Sequence, residues 1–529
     1  MSAAEPEPVA EPEPVAEGEW RRLDKRTVLV TAFVMAGVAA GAGLPTTLGL
    51  AGGMPLGQAF GWVLAGAVLL IAVSAGADYM RWRRTRYRVG IERAELHTGL
   101  LLVKRRSLAR ERIRSVDLSA NPLLRVLGLV KVRIGTGEHT GGESTLELDP
   151  VSKAEGERLR TQLLARAATT DPGTHREGEL AALDPSWIRY APVSFVAPLL
   201  GGAAAGGVMQ VSEWFGAQGK VIDWVGDRFQ DTSIAMMVVV LVTAAVGAGV
   251  VGALGLWIEM WWNYRLEREP GGTLRLRRGL FTARSISIEE RRLRGVELVE
   301  PLGVRLFGAA RVDAVATGLT DDEQDKHADL KVLLPPAPRA TADEVAAQVL
   351  REPVAPTSAA HLTAHPRAAR TRRLRRALAS ALLPLLVLTV LGAWLTSVLL
   401  YIAAVTAVVA LPAAVILALD AYRSLGHGIS DAYLVARSGT VRRATVALQR
   451  GGVIGWTVKQ SVFQRRAGVL TLTATTAAGA GAYSVYDAGE SEGLAFASDA
   501  VPGLLEPFLV RGDGTARCGS AEVGATIPV

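Results

Sequence analysis

The stretch MMVVVLVTAAVGAGVVGALGLWI (236–258) has no polar face in any helical register. A helix that is apolar all round belongs in lipid or in a very large core, and about 20 such residues span a bilayer. Six segments of this kind are readable: about Thr27 to Leu50, Ala59 to Ala77, Ala191 to Val211, Ser233 to Met260, and a pair between Leu378 and Leu419 broken near Thr396 or Ser397. They predict three transmembrane hairpins. The third segment is the most dilute, because glycines and Pro198 interrupt it. Runs such as GVAAGAG (37–43) and AAVGAGVVGALG (244–255) predict close helix–helix packing through small residues.

What lies between the apolar segments is charged. Over 529 residues, 49% are hydrophobic and 21% charged, with a mean hydropathy of +0.25. That mixture excludes an ordinary soluble enzyme and a bare helical transporter, and it fits membrane blocks alternating with soluble ones. RRLDKR (21–26), RWRRTRYR (81–88) and RTRRLRR (370–376) flank the spans on one side. The loop 45–57 is uncharged, and 213–231 carries Lys220 and Arg228 against Glu213, Asp223, Asp227 and Asp231. The positive-inside rule then places both termini and the soluble blocks in the cytoplasm. Trp82, Trp257, Trp261 and Trp262 stand where interfacial anchors are expected, and the outer loop 213–231 reads as a short amphipathic helix. AEPEPVAEPEPVAEGE (4–19) reads as a disordered acidic tail, not as a signal peptide. The single cysteine, Cys518, excludes a disulfide framework and a multi-cysteine metal site.

The soluble blocks repeat. With Gly99, Gly279 and Gly439 as origins, an apolar residue follows at the same distance in each (Ile113, Leu293, Val453). Further on come an arginine (Arg125, Arg305, Arg465) and a glycine (Gly128, Gly308, Gly468), again at matched spacing. A strand pattern follows each second glycine: VKVRIGTG, ARVDAVATG and VLTLTATT. Helical stretches close the first two units at 151–168 and 341–352, and a shorter one at 501–510 is expected to close the third. Short strands with one terminal helix predict a small antiparallel barrel or sandwich. The expected organisation is an acidic tail (1–20), hairpin (21–80), domain (81–170), linker (171–186), hairpin (187–260), domain (261–352), basic linker (353–376), hairpin (377–420), divergent domain (421–512) and tail (513–529).

Residues 87–134, with Y-R-V, L-H-T-G-L-L, R-I-R-S-V-D-L and L-L-R-V-L-G-L-V-K-V-R-I, and 264–312, with Y-R-L, L-R-R-G-L-F, R-L-R-G-V-E-L and V-R-L-F-G-A-A-R-V, resemble the bacterial membrane-flanked proteins with pleckstrin-homology-like domains, the YdbS/YdbT-like group. The third copy departs from the pattern at Gly451, Gly452 and Trp456. The resemblance implies three PH-like β-barrel domains, each a seven-stranded bent barrel closed by a C-terminal helix. It also implies a place in the bacterial inner membrane, no enzymatic activity and a role in envelope defence.

Two readings of the recurring arginines stand side by side. Arg125, Arg305 and Arg465, with their glycines, suit either a structural role in the turn or a guanidinium presented to a phosphate or carboxylate. The basic sets Lys104, Arg105, Arg106, Arg110, Arg112 and Arg114, with Arg284, Arg291, Arg292 and Arg294 in the second unit, form a candidate anionic-surface binding site. Alternation at 110, 112 and 114 would put three guanidinia on one strand face. The net charge of +7 and pI of about 9.6 favour an acidic partner. No helix-turn-helix or zinc spacing points to nucleic acid, so the lipid bilayer, a protein partner or self-association is expected instead. No catalytic, cofactor or metal site is expected: His361 and His365 in HLTAH read as a loop pair, and GTGEHTG (135–141) as a hairpin turn. The expected role is a membrane-surface binding or assembly module. A lipid-handling or transport component and a homo-oligomeric scaffold are the alternatives.

Overall fold

The computed structural model describes residues 19–90, 92–99, 104–113, 115–135, 145–164, 178–194, 196–318, 331–508, 510–511 and 525–526. Most of the acidic tail, nearly all of the GTGEHTG turn, Cys518, Arg114 and the side chain of Arg112 lie outside the described residues. The chain forms two compact units, one from Met1–Asp171, Met209–Arg228 and Phe281–Ile286, the other from Pro172–Val208, Phe229–Leu280 and Ser287–Val529.

In the first unit, β1 (Arg21–Arg22) leads into the antiparallel helices α1 (Thr27–Leu50) and α2 (Leu56–Arg84). The strands β2 (Arg86–Val89), β3 (Arg93–Thr98) and β4 (Lys104–Ala109) follow, forming an antiparallel sheet in the order β1-β2-β3-β4. Next come β5 (Ser115–Ala120), the one-turn helix α3 (Pro122–Val126), β6 (Leu129–Gly135), β7 (Thr145–Ser152) and α4 (Lys153–Leu164). β6 pairs antiparallel with both β5 and β7. Its residues alternate with period two: Val130, Val132 and Ile134 enter the core, while Lys131 and Arg133 face outward to Glu147 at 3.0 and 2.7 Å. Asn121 starts α3 by accepting from the Leu124 amide at 2.8 Å, with Pro122 pre-set for the first helical position. Val30 of α1 and Trp82 of α2 pack against the same core as Leu96, Ile113 and Val116. Membrane hairpin and β module therefore share one apolar interior.

The rest of the chain begins with β8 (Gly178–Ala182), α5 (Val196–Trp214), α6 (Gln218–Arg228) and α7 (Ile234–Trp261). The expected outer-loop helix is α6, which leaves Ile222 and Trp224 exposed. Then come β9 (Arg265–Glu269), β10 (Thr273–Arg278), β11 (Ala283–Glu289), β12 (Leu293–Pro301), α8 (Leu302–Leu306), β13 (Ala309–Ala316), β14 (Val332–Pro338), α9 (Arg339–Leu350) and α10 (Pro356–Ala359). The last membrane pair is α11 (Arg367–Trp394) and α12 (Ser397–Arg423). After it stand β15 (Gly426–Ser430), β16 (Tyr433–Ser438), β17 (Arg442–Gln449), β18 (Val453–Lys459), α13 (Val462–Arg465), β19 (Val469–Thr476), β20 (Ala482–Gly489) and α14 (Glu490–Ala500). One sheet of the second unit runs β14-β13-β12-β17-β16-β15, so strands of successive repeats pair edge to edge, with Val296 opposite Ala447. Gly295 permits this approach, since a Cβ there would lie 1.9 Å from the Ala447 carbonyl oxygen.

The repeat glycines have a common physical cause. Gly99, Gly279 and Gly439 sit at φ of 142°, 108° and 100°, and Gly128, Gly308 and Gly468 at 70°, 68° and 60°. Side chains disfavour that half of the backbone map, so each turn selects glycine.

Four expectations change. Five helices, not six, are long and apolar enough among the described residues to cross a membrane; α5 falls short because glycines and Pro198 dilute it. The third closing helix is Glu490–Ala500 rather than 501–510, where Pro502 and Gly503 stop it. Arg110–Arg112 forms a 3-10 turn instead of part of a strand. Of the four expected tryptophan anchors only Trp262 is exposed; Trp82 packs on the first core, and Trp257 and Trp261 are buried, the latter under the Arg278 guanidinium at 4.4 Å.

Small residues do bring helices together. A Cβ on Gly201 would lie 2.2 Å from the Ala245 oxygen, and one on Gly249 would lie 2.1 Å from the Ala197 oxygen, so α5 and α7 touch backbone to backbone. Gly247, two residues away, faces open space.

Candidate functional site

The origin glycine of each repeat lies in a β-hairpin, and the later two hairpins are hydrogen-bonded to the end of a membrane helix. The Gly279 amide donates to the Trp262 carbonyl at 2.8 Å, and the Leu280 amide donates to Glu259 at 2.9 Å. In the third repeat the Ser424 hydroxyl donates to the Gly439 carbonyl, and Thr440 Oγ1 donates to Asp420 Oδ2 at 2.7 Å. Asp420, in the last turn of α12, also accepts from Arg305 at 2.8 Å and from Arg443 at 3.2 Å. One carboxylate thus ties two repeats to a span end.

In the first repeat, Lys104 and Arg105 are exposed on the strand leaving this hairpin, and Arg106 is half-buried. Arg105 stands opposite His97, whose ring lies 4.5 Å from Trp20; Trp20 in turn receives the Arg88 guanidinium at 4.9 Å. Lys25, Arg26, Arg83 and Arg86 add exposed positive charge beside α1 and α2.

The other arginines of the candidate set divide. Arg110 turns inward: its Nη1 donates to the Gly90 carbonyl at 3.3 Å and its Nη2 to the Gln162 carbonyl in α4. Arg450 occupies the matching place in the third repeat, donating to the Ala500 carbonyl at 2.6 Å and to the Asp499 carbonyl at 2.7 Å. Both satisfy carbonyls that a helix end leaves open. Arg291 and Arg292 pair with Glu289 at 2.8 and 2.7 Å, the Arg294 side chain lies over Gly452, and Arg284 is half-buried. Of the recurring arginines, Arg305 serves the Asp420 clamp, while Arg125 and Arg465 are exposed on their turns.

A buried polar cluster escaped the sequence reading. His361 is an exposed loop residue as expected, but His365 is buried, with its Nε2 3.0 Å from Nδ1 of buried His427. His365 Nδ1 lies 3.2 Å from the Asp487 carbonyl. The Asp487 carboxylate pairs with Arg372, accepts from Gln464 Nε2 at 3.2 Å and lies 3.7 Å from Arg373. Two of the five arginines of the RTRRLRR flank are therefore turned inward. Burial, reinforced by the neighbouring His365, pushes His427 down to about 4, and burial also lowers His365. The available signal was Gly-His-Gly at 426–428: a Cβ on Gly428 would lie 2.4 Å from the His361 oxygen, so the linker needs glycine to close over this strand. Among the described residues no group of three or more His, Cys, Asp or Glu is arranged to hold a metal ion.

Residues 34–167 and 379–498 match the family described as bacterial PH domain, bPH_2. The chain is 24% identical over 298 residues to the UPF0699 transmembrane protein YdbT of Bacillus subtilis (strain 168). That similarity covers 54% of this chain and 57% of the relative, so the chain spans little more than half the relative's length. No solved structure matches the chain. With its apolar helices packed onto antiparallel β modules, this chain is a transmembrane protein carrying bacterial PH domains and is similar to YdbT.

Proposed function

We propose that the chain is a non-enzymatic inner-membrane protein whose three hairpins hold three PH-like modules at the cytoplasmic face, where they bind anionic lipid headgroups. α5 completes the second hairpin by packing on α7 through Gly201 and Gly249. The observation that carries the reading is the bonding of the repeat hairpins to span ends, through Gly279 to Trp262 and through Gly439 and Thr440 to Ser424 and Asp420. By repeat equivalence, Lys104 and Arg105 leave the corresponding hairpin of the first module. An exposed charge held near an anionic surface contributes about 1 kcal/mol, screened by salt. Tethering raises the effective concentration, so weak sites suffice.

A photo-crosslinking residue in place of Lys104, in the full chain reconstituted into vesicles of neutral or anionic phospholipid, tests this. Adducts with anionic lipid that diminish with salt support the reading; adducts with protein alone, or equal labelling of both lipids, refute it. Cysteine accessibility around Gly279 from the outside of whole cells would refute the orientation.

A further inference from the structure

The short helices α3, α8 and α13 occupy equivalent places in the three repeats, each between two strands and just before a repeat glycine. A turn in that place has every opportunity to bury its apolar residues in the module beneath it. Each turns one side inward: Leu124 and Val304 are buried in the first two, and the hydrogen-bonded Gln464 in the third. On the other side each leaves large apolar groups bare. Val126 is 85% exposed, Leu306 and Phe307 are 75% and 64% exposed, and Val462 and Phe463 are 66% and 68% exposed. Exposed apolar groups recurring on the equivalent turn of three divergent copies, at its end in the first two and at its start in the third, flanked by Arg125, Arg305 and the pair Arg465–Arg466, call for a common occupant.

Hydrogen bonds identify that occupant, because each turn is pinned to the end of a membrane helix. Next to α3, the Leu127 carbonyl accepts from Arg26 Nη1 at 2.9 Å, and α1 begins at the following residue, Thr27. In α8, Arg305 holds Asp420 in the last turn of α12, and the Leu302 amide donates to the Val441 carbonyl at 2.7 Å. In α13, Gln464 donates to Asp487, which pairs with Arg372. Arg372 precedes the apolar part of α11, from Ala377, by five residues, roughly 7–8 Å of helix. These turns therefore sit at headgroup depth, where apolar groups meet acyl chains and arginines meet phosphates.

We propose that α3, α8 and α13 are apolar wedges that insert Val126, Leu306 with Phe307, and Val462 with Phe463 into the headgroup–acyl boundary of the bilayer their own helices span. The proposal deepens the membrane-surface reading and rests on it only for placing the modules against a bilayer. The wedge recognises lipid by depth and the hairpin cations recognise it by charge, so the two contributions separate experimentally: salt weakens the second and leaves the first.

The test uses the full chain with Cys518→Ser and single cysteines at Val126, Phe307 or Phe463, each carrying a polarity-sensitive fluorophore, in vesicles of neutral phosphatidylcholine. Ala432→Cys is the control: it is exposed, and it lies at the far end of β16 from the Gly439 turn. Melting temperatures near that of the parent verify folding. The wedge positions should show blue-shifted emission, strong quenching by nitroxide-bearing lipid and little quenching by aqueous iodide, unchanged by salt. The control should show the reverse. Iodide quenching at the wedge positions equal to the control overturns the proposal. So does protection from both quenchers, which would mean that protein covers the turns. Either result, alongside intact lipid adducts at position 104, overturns the wedge while leaving headgroup binding in place.

Discussion

Replacing His427 with glutamine separates the buried histidine pair from every other titrating group in the molecule. His427 is 2% exposed, in contact with His365 on one side and with the Phe496 ring edge-on at 4.7 Å on the other. Burial first, and the neighbouring His365 second, lower it from 6.5 to about 4. The unfolded chain therefore binds a proton near pH 6.5 that the folded chain refuses until about pH 4, so stability is complete above about 6.5 and declines as the pH falls towards 4. A difference of about 2.5 units at about 1.36 kcal/mol each amounts to roughly 3 kcal/mol from His427 alone. His365, also lowered by burial, acts in the same direction. The assay is thermal unfolding of the wild type and His427→Gln in the same lipid nanodiscs from about pH 7 to about pH 4.5, read as the difference between the two, so that groups common to both cancel. The wild type should lose stability relative to the variant throughout that range, by most of the roughly 3 kcal/mol at its acid end. Parallel curves would refute the argument, because a histidine with free access to water titrates alike folded and unfolded.

Three further outcomes are expected. Gly249→Ala forces the Ala197 carbonyl away and should cost about 1–3 kcal/mol in thermal unfolding, whereas Gly247→Ala, facing open space, should be neutral. Burial raises Asp117 to about 7 against the opposing pull of Arg133, so the folded form holds a proton that the unfolded form has lost. Stability falls as the pH rises from about 4 to 7, and Asp117→Asn should melt higher near pH 7, by about 4 kcal/mol at the upper limit. Gly308→Ala, at φ of 68°, should destabilise by about 1 kcal/mol, and Gly455→Ala, at no such φ and with nothing near its Cβ, by less.

Local chemistry determined a large part of this molecule from the sequence alone. α1 spans Thr27–Leu50, the bounds its apolar run implies, because a helix in lipid needs only length and uniform apolarity. The three repeats were legible for a related reason: turns at positive φ demand glycine wherever they occur, so Gly128, Gly308 and Gly468 mark equivalent backbone, and Ile113, Leu293 and Val453 mark equivalent core. α5 is less apolar than the other long helices, since its glycines serve contact with α7 rather than apolarity.

Side-chain partners are another matter, because they come from residues 52 to 115 positions away and no local pattern encodes them. Arg372 and Arg373 look in sequence like the rest of a basic flank, yet they meet Asp487, and Arg305 meets Asp420. Arg110 looks like surface charge until the end of α4 arrives beside it with open carbonyls. His365 and His427 become a buried pair only when the linker closes over β15. Which cations face lipid and which are committed to the fold was therefore decided by tertiary structure, since a guanidinium goes to whichever acceptor folding brings within hydrogen-bonding distance.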